Sequence, residues 1–130
     1  MKNTLTLFLI LFITSASFGQ SIFSKWSALD EYHKIMAQTF HPSENGDLGP
    51  LKSRSGELKS QAAVVAKSAI PAEFDSPAIR KAIKQMNKDS KALDKLIKSN
   101  KASDPQLTKS IAALHDVFHQ VVGLCKDEKH

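Results

Sequence analysis

An all-α fold, an up-down-up-down antiparallel four-helix bundle, is what this 130-residue sequence predicts. Three observations lead to it. Apolar residues recur at steps of three and four in four separate stretches, the pattern of amphipathic helices. Proline, glycine and short polar runs separate those stretches, leaving connections of roughly four to eight residues, the length that joins antiparallel neighbours. After residue 20, no stretch alternates polar and apolar residues as a half-buried strand would.

The first helix is expected over about 22–41. Ile22, Trp26, Leu29, His33, Met36 and Phe40 recur at steps of four, three, four, three and four. His41-Pro42 should end it, because a residue before proline avoids the α region. Turn-forming residues fill 43–49. Pro50 suits the first turn of a second helix over about 50–70. Its stripe (Leu51, Ser55, Leu58, Ala62, Val65, Ala69) is small, and Gly56 hints at close packing or a local irregularity. Ser76-Pro77 reads as a cap followed by a proline at the first helical position. It opens a third helix over about 76–99, with Ile79, Ile83, Met86, Ser90, Leu93 and Ile97 on its stripe. Asp104-Pro105 repeats that start for a fourth helix over about 104–126. Leu107, Ile111, Leu114, Phe118, Val121 or Val122, and Cys125 form its stripe.

The first nineteen residues read differently. Lys2 is a short positive region, Leu5 to Ile13 is apolar apart from Thr6, and Ser17 and Gly19 stand at −3 and −1 of a cut before Gln20. This is the layout of a cleaved secretory signal peptide. The apolar run falls short of the roughly 20 residues that span a bilayer. The expectation is residues 1–19 as signal and 20–130 as one soluble periplasmic domain with no membrane span. Losing Lys2 leaves 17 basic residues against 13 acidic, 17 − 13 = +4. The basic residues are mostly Lys spread along helical faces. Without an Arg-rich patch interleaved with aromatics, nucleic acid is a poor partner, and the lysines read as a solvated surface. Cys125 is the single cysteine, so no internal disulfide forms and the thiol belongs to the core.

Histidine carries the chemistry. His33 falls on the seam of the first helix, and His115 and His119 sit four apart on the fourth. That spacing puts two imidazoles on one helix face within reach of one metal ion. At about 1.5 Å per residue, His33 comes within about one turn of the depth of His115 in an antiparallel pair, so the three rings are expected to converge. Met36 adds a thioether, His41 closes the end, and Glu44 and Glu57 are possible additional ligands or supporting carboxylates. Such a set suits copper or zinc better than calcium or magnesium. No H-E-x-x-H, G-x-S-x-G or phosphate loop is present, so the reading is not of an enzyme.

The segments Tyr32-His33-Lys34-Ile35-Met36-Ala37, Thr39-Phe40-His41-Pro42-Ser43-Glu44 and Leu114-His115-Asp116-Val117-Phe118-His119 make the chain from Gln20 resemble an uncharacterised group of small exported helical proteins of Gram-negative bacteria. The resemblance implies a four-helix fold and allows a metal-linked role. The architecture is also similar to periplasmic b-type cytochromes, which implies haem between Met36 and His115, although Met36 and His115 lie mid-helix or toward the opposite end from that family's ligands. The leading expectation is therefore a non-catalytic copper or zinc carrier, buffer or sensor. The alternatives are a periplasmic helical adaptor for an unknown protein, with structural histidines, and a haem-binding bundle.

Overall fold

The computed structural model describes residues 21–127, so the expected signal peptide, Gln20 and His130 lie outside the described residues. The described chain forms helices α1 (Ile22–Lys25), α2 (Ser27–Glu44), α3 (Gly49–Lys67), α4 (Pro77–Lys98) and α5 (Asp104–Asp127), with no strand among them. Helix α2 packs on α3, α3 on α4, α4 on α5, and α5 closes against α2. Four long helices packed in chain order through short connections make the antiparallel up-down bundle. No helix among the described residues is long and apolar enough to cross a membrane.

The first expected helix is broken at Trp26, whose backbone (φ −133°, ψ 83°) leaves the α region. The break folds α1 back on α2. In a continuous helix Phe23 and His33 would stand about 15 Å apart along the axis; here their rings stack with centroids 4.4 Å apart. Trp26 is buried against Phe74, from the α3–α4 connection, at 6.4 Å between centroids. Along α2, Leu29, Met36 and Phe40 are buried as their spacing predicts. Tyr32, fully buried, takes the seam position expected of His33, which is half-buried on the flank.

Pro42 does not end α2. The helix runs on to Glu44 and closes after it, where Gly46 adopts a left-handed φ of 83°. The Gly46 amide donates to the Ser43 carbonyl and the Asp47 amide to the Pro42 carbonyl, both at 3.0 Å. This Schellman closure satisfies the last carbonyls and carries the helix past the proline. In α4, Ser76 is the expected cap, accepting a bond from the Ile79 amide at 3.1 Å. In α5 the cap is Ser103, which accepts from the Gln106 amide at 3.3 Å, while Asp104 lies in the first turn and pairs with Lys52. Gly56 does not mark close packing: a β-carbon there would meet Asp94 and Lys98 at an ordinary 3.9 Å.

The core is one cluster running from Ile22 to Cys125, drawn from every helix. Two polar contacts cross it. Tyr32 Oη lies 2.8 Å from Ser90 Oγ, and Ser90 donates its single proton to the Met86 carbonyl at 2.7 Å, so the tyrosine donates to the serine. The Asp94 carboxylate, 2% exposed, accepts from Ser55 Oγ at 2.8 Å and from Lys98 Nζ at 2.7 Å. Desolvation raises its pKa, but the Lys98 and Ser55 bonds and the charges of Lys98 and Lys59 outweigh that, leaving it below the ordinary carboxylate value. Opposite its buried stripe, α4 presents Lys81, Lys84, Lys88, Lys91, Lys95 and Lys98, all exposed. Like charges at three- and four-residue spacing cost a helix about 0.2–0.5 kcal/mol per pair.

Candidate functional site

The α2–α5 seam carries the histidines. Along α5, His115 and His119 occupy successive turns, and their Nε2 atoms are 3.1 Å apart, with the rings nearly perpendicular at 82°. His119 is exposed. His115 is half-buried because its ring lies flat on Phe40 of α2, centroids 3.8 Å apart and planes 14° apart. The next residue of α2, His41, has its Nδ1 3.2 Å from Glu44 Oε2 at the exposed end of the helix. His41 and Glu44 are close enough to His115 to act on its charge.

Burial lowers the His115 pKa, and the neighbouring His119 and His41 lower it further, against smaller opposing effects of Asp116 and Glu44. The imidazole is thereby held neutral, the form in which it binds metal. The same shift links stability to pH. The unfolded chain takes up this proton near the ordinary histidine value, about 6.5, while the folded state resists it. The contribution of His115 is present above that value and lost as pH falls through the lowered folded pKa. Melting temperatures measured from pH 7.5 to 5 should decline for the native chain and decline less for His115→Gln. Equal slopes would remove His115 as the source.

The other predicted ligands stand elsewhere. The His33 ring packs between aromatic neighbours, 4.4 Å from Phe23 and 5.4 Å from Phe118 by centroid, nearly parallel to both. Phe118 also touches His119, at 5.9 Å, so the face expected to gather three histidines holds a phenylalanine between them. Met36 is wholly buried in the core. Glu57 pairs with Arg54 on the exposed face of α3. Among the described residues, no three His, Cys, Asp or Glu side chains form a group able to hold one ion. The convergence of His33, His115 and His119 therefore does not occur, and the pair His115–His119 is what α5 supplies. A porphyrin between Met36 and His115 would have to open the packed core around the wholly buried Met36 and break the contact of His115 Nε2 with His119 Nε2. Sequence reasoning missed Phe40 and Phe23 as partners of the histidines. Phe40 was legible only as a core position, and Phe23 reaches His33 through a helix break that periodicity does not announce.

These features define an all-α four-helix bundle with a paired-imidazole site on one seam. Comparison with protein-family models, with curated proteins and with solved structures finds no match to this chain.

Proposed function

We propose that the protein is a non-catalytic metal-binding bundle that holds a copper or zinc ion on His115 and His119. The observation that carries this is the 3.1 Å separation of the two Nε2 atoms. Two metal–nitrogen bonds of about 2.0–2.1 Å, drawn to atoms that far apart, meet at roughly 98°, between the angles of square-planar copper and tetrahedral zinc. The lowered pKa of His115 keeps its ring uncharged at neutral pH, with one nitrogen carrying a lone pair, and a metal would replace the proton shared between the two Nε2 atoms. With two donors supplied by a rigid helix and the remaining positions left to water or to an exchanging ligand, the site suits an ion that is picked up and passed on. That is the behaviour of a carrier or buffer rather than of a structural metal, whose coordination is closed. Combined with the signal-like residues 1–19, the proposal places this activity in the periplasm.

The test is a titration of the chain from Gln20 with Cu(II) and Zn(II), beside His115→Ala/His119→Ala. Every member of the core cluster lies between Ile22 and Cys125, so this chain keeps the core intact. The native pair should bind at least about tenfold more tightly than the variant. Its affinity should weaken as pH falls through the histidine range, because protons compete for the same nitrogens. Equal, weak binding by both proteins would end the proposal.

A further inference from the structure

The formal net charge of the whole chain is +5, and α4 alone accounts for as much: seven basic and two acidic residues, 7 − 2 = +5. Its six lysines follow steps of three and four, which places them on one face of the helix, turned away from the core. From Lys81 to Lys98 the row covers 17 residues, about 26 Å. Of the two acids, Asp89 accepts from Gln85, and Asp94, turned inward to Ser55, pairs with Lys98 at the end of the row and with Lys59, leaving the five lysines from Lys81 to Lys95 uninterrupted. Among the described residues, no ion pair involves Lys81, Lys84, Lys88, Lys91 or Lys95. An ordinary solvated helix face mixes acids and bases at these spacings. Here one sign is repeated at contact distance for five turns, against its own repulsion. Helix α3 extends the patch: Lys59 joins Lys91, Lys95 and Lys98 around an open cleft of about 570 Å³ that Asp94 also lines, four bases to one acid.

We propose that this face of α4, with Lys59 of α3, docks the protein on the anionic phospholipid headgroups of a membrane surface. The partner is identified by what the face offers and what it lacks. A straight row of charges on a convex helix meets a plane along its whole length. Lysines are flexible point charges that accept phosphates in any arrangement, whereas arginine forks would mark a site built for one fixed geometry. The row carries no aromatic side chain on which a nucleic-acid base could stack. It carries no large apolar side chain either, since Val64 on α3 is the one large hydrophobic exposed among the described residues. A specific protein interface would have an apolar centre there. Helix α4 stands diagonally across the bundle from α2, so docking leaves the α2–α5 histidine seam open to solvent.

The experiment measures binding of the chain from Gln20 to vesicles of phosphatidylcholine, with and without about one-third phosphatidylglycerol, over a range of salt. The row variant is Lys84→Gln/Lys88→Gln/Lys91→Gln. The control, Lys101→Gln/Lys109→Gln/Lys126→Gln, removes the same charge from elsewhere on the surface. Binding should require the anionic lipid and fall steeply as salt is raised. The row variant should lose about tenfold or more, as expected for lysines lying against a charged bilayer, and the control less than about threefold. Circular dichroism should show the row variant as helical and at least as stable as the native chain, because a repulsion has been removed. Equal binding to neutral vesicles, or equal losses in both variants, would overturn the proposal. So would tighter binding to double-stranded DNA in solution than to the vesicles.

Discussion

Phe118→Ala is expected to cost about 3–5 kcal/mol of folding stability, the range for truncating a buried aromatic. The ring is 3% exposed and touches α1, α2 and its own helix at once, through Phe23, Tyr32, His33 and His119. The loss is large because these neighbours cannot close the gap together. Tyr32 is held by its bond to Ser90, and Phe23 is held by the chain reversal at Trp26. A domain of this size has about 5–15 kcal/mol in total, so the variant should sit near the edge of folding. Chemical denaturation measures the change, with Phe118→Leu as the milder comparison. A cost below about 1.5 kcal/mol for the alanine variant would mean that Phe118 is not the packing centre of the α2–α5 seam. Because Phe118 is also interposed between His33 and His119, the same measurement tests why the third histidine stays away from the pair.

Ser90→Ala should destabilise the protein more than Tyr32→Phe, although each removes one hydroxyl from the same contact. Without Ser90, the Tyr32 hydroxyl is left buried with no acceptor, a cost of about 1–3 kcal/mol. Without the Tyr32 hydroxyl, Ser90 keeps its bond to the Met86 carbonyl, and the cost is about 1 kcal/mol. A reversed order would show that the serine, not the tyrosine, depends on the contact. The site has a second readout. Tyr32 is the only tyrosine in the chain, so tyrosinate absorbance reports it alone. Burial raises its pKa well above the ordinary value, with the Ser90 bond opposing and Asp89 adding to the rise. The unfolded chain ionises near pH 10. The stabilising effect of a buried neutral phenol is thus complete below that value and is lost as pH rises above it. Tyrosinate should accordingly appear together with loss of the fold in an alkaline titration. A reversible titration near pH 10 with the helices intact would place the hydroxyl in solvent.

Much of the fold was legible in residues 21–127 because its cues are local. Ser76-Pro77 announces α4, and the Ser76 bond to Ile79 is the cap it implies. Three- and four-residue spacing places Leu58, Met86, Ile111 and Val121 inward, and all four are fully buried. Where two local rules competed, the resolution depended on energies that spacing does not contain. Pro42 reads as a stop, yet the Gly46 closure two residues past the end of α2 prevails. Ser103 and Asp104 are both good caps, and the aspartate is drawn instead to Lys52 across the bundle.

The histidines divide along the same line. Sequence alone determined that His115 and His119 share a face, since residues four apart do so on any α-helix. The lysine row of α4 obeys the same arithmetic, although composition alone reads those lysines as a solvated surface spread over the helices. Only the tertiary structure decided which residues stand opposite them. The core face of α2 takes Tyr32 together with Leu29, Met36 and Phe40, which leaves His33 on the flank against Phe118 and against Phe23, the ring that the break at Trp26 brings back to it. A helix repeats its own pattern faithfully, but which of two adjacent positions at the edge of its stripe faces the core is decided by the helices packed against it. Trp26 itself is buried against Phe74, a contact between residues 48 positions apart that no window along the chain contains.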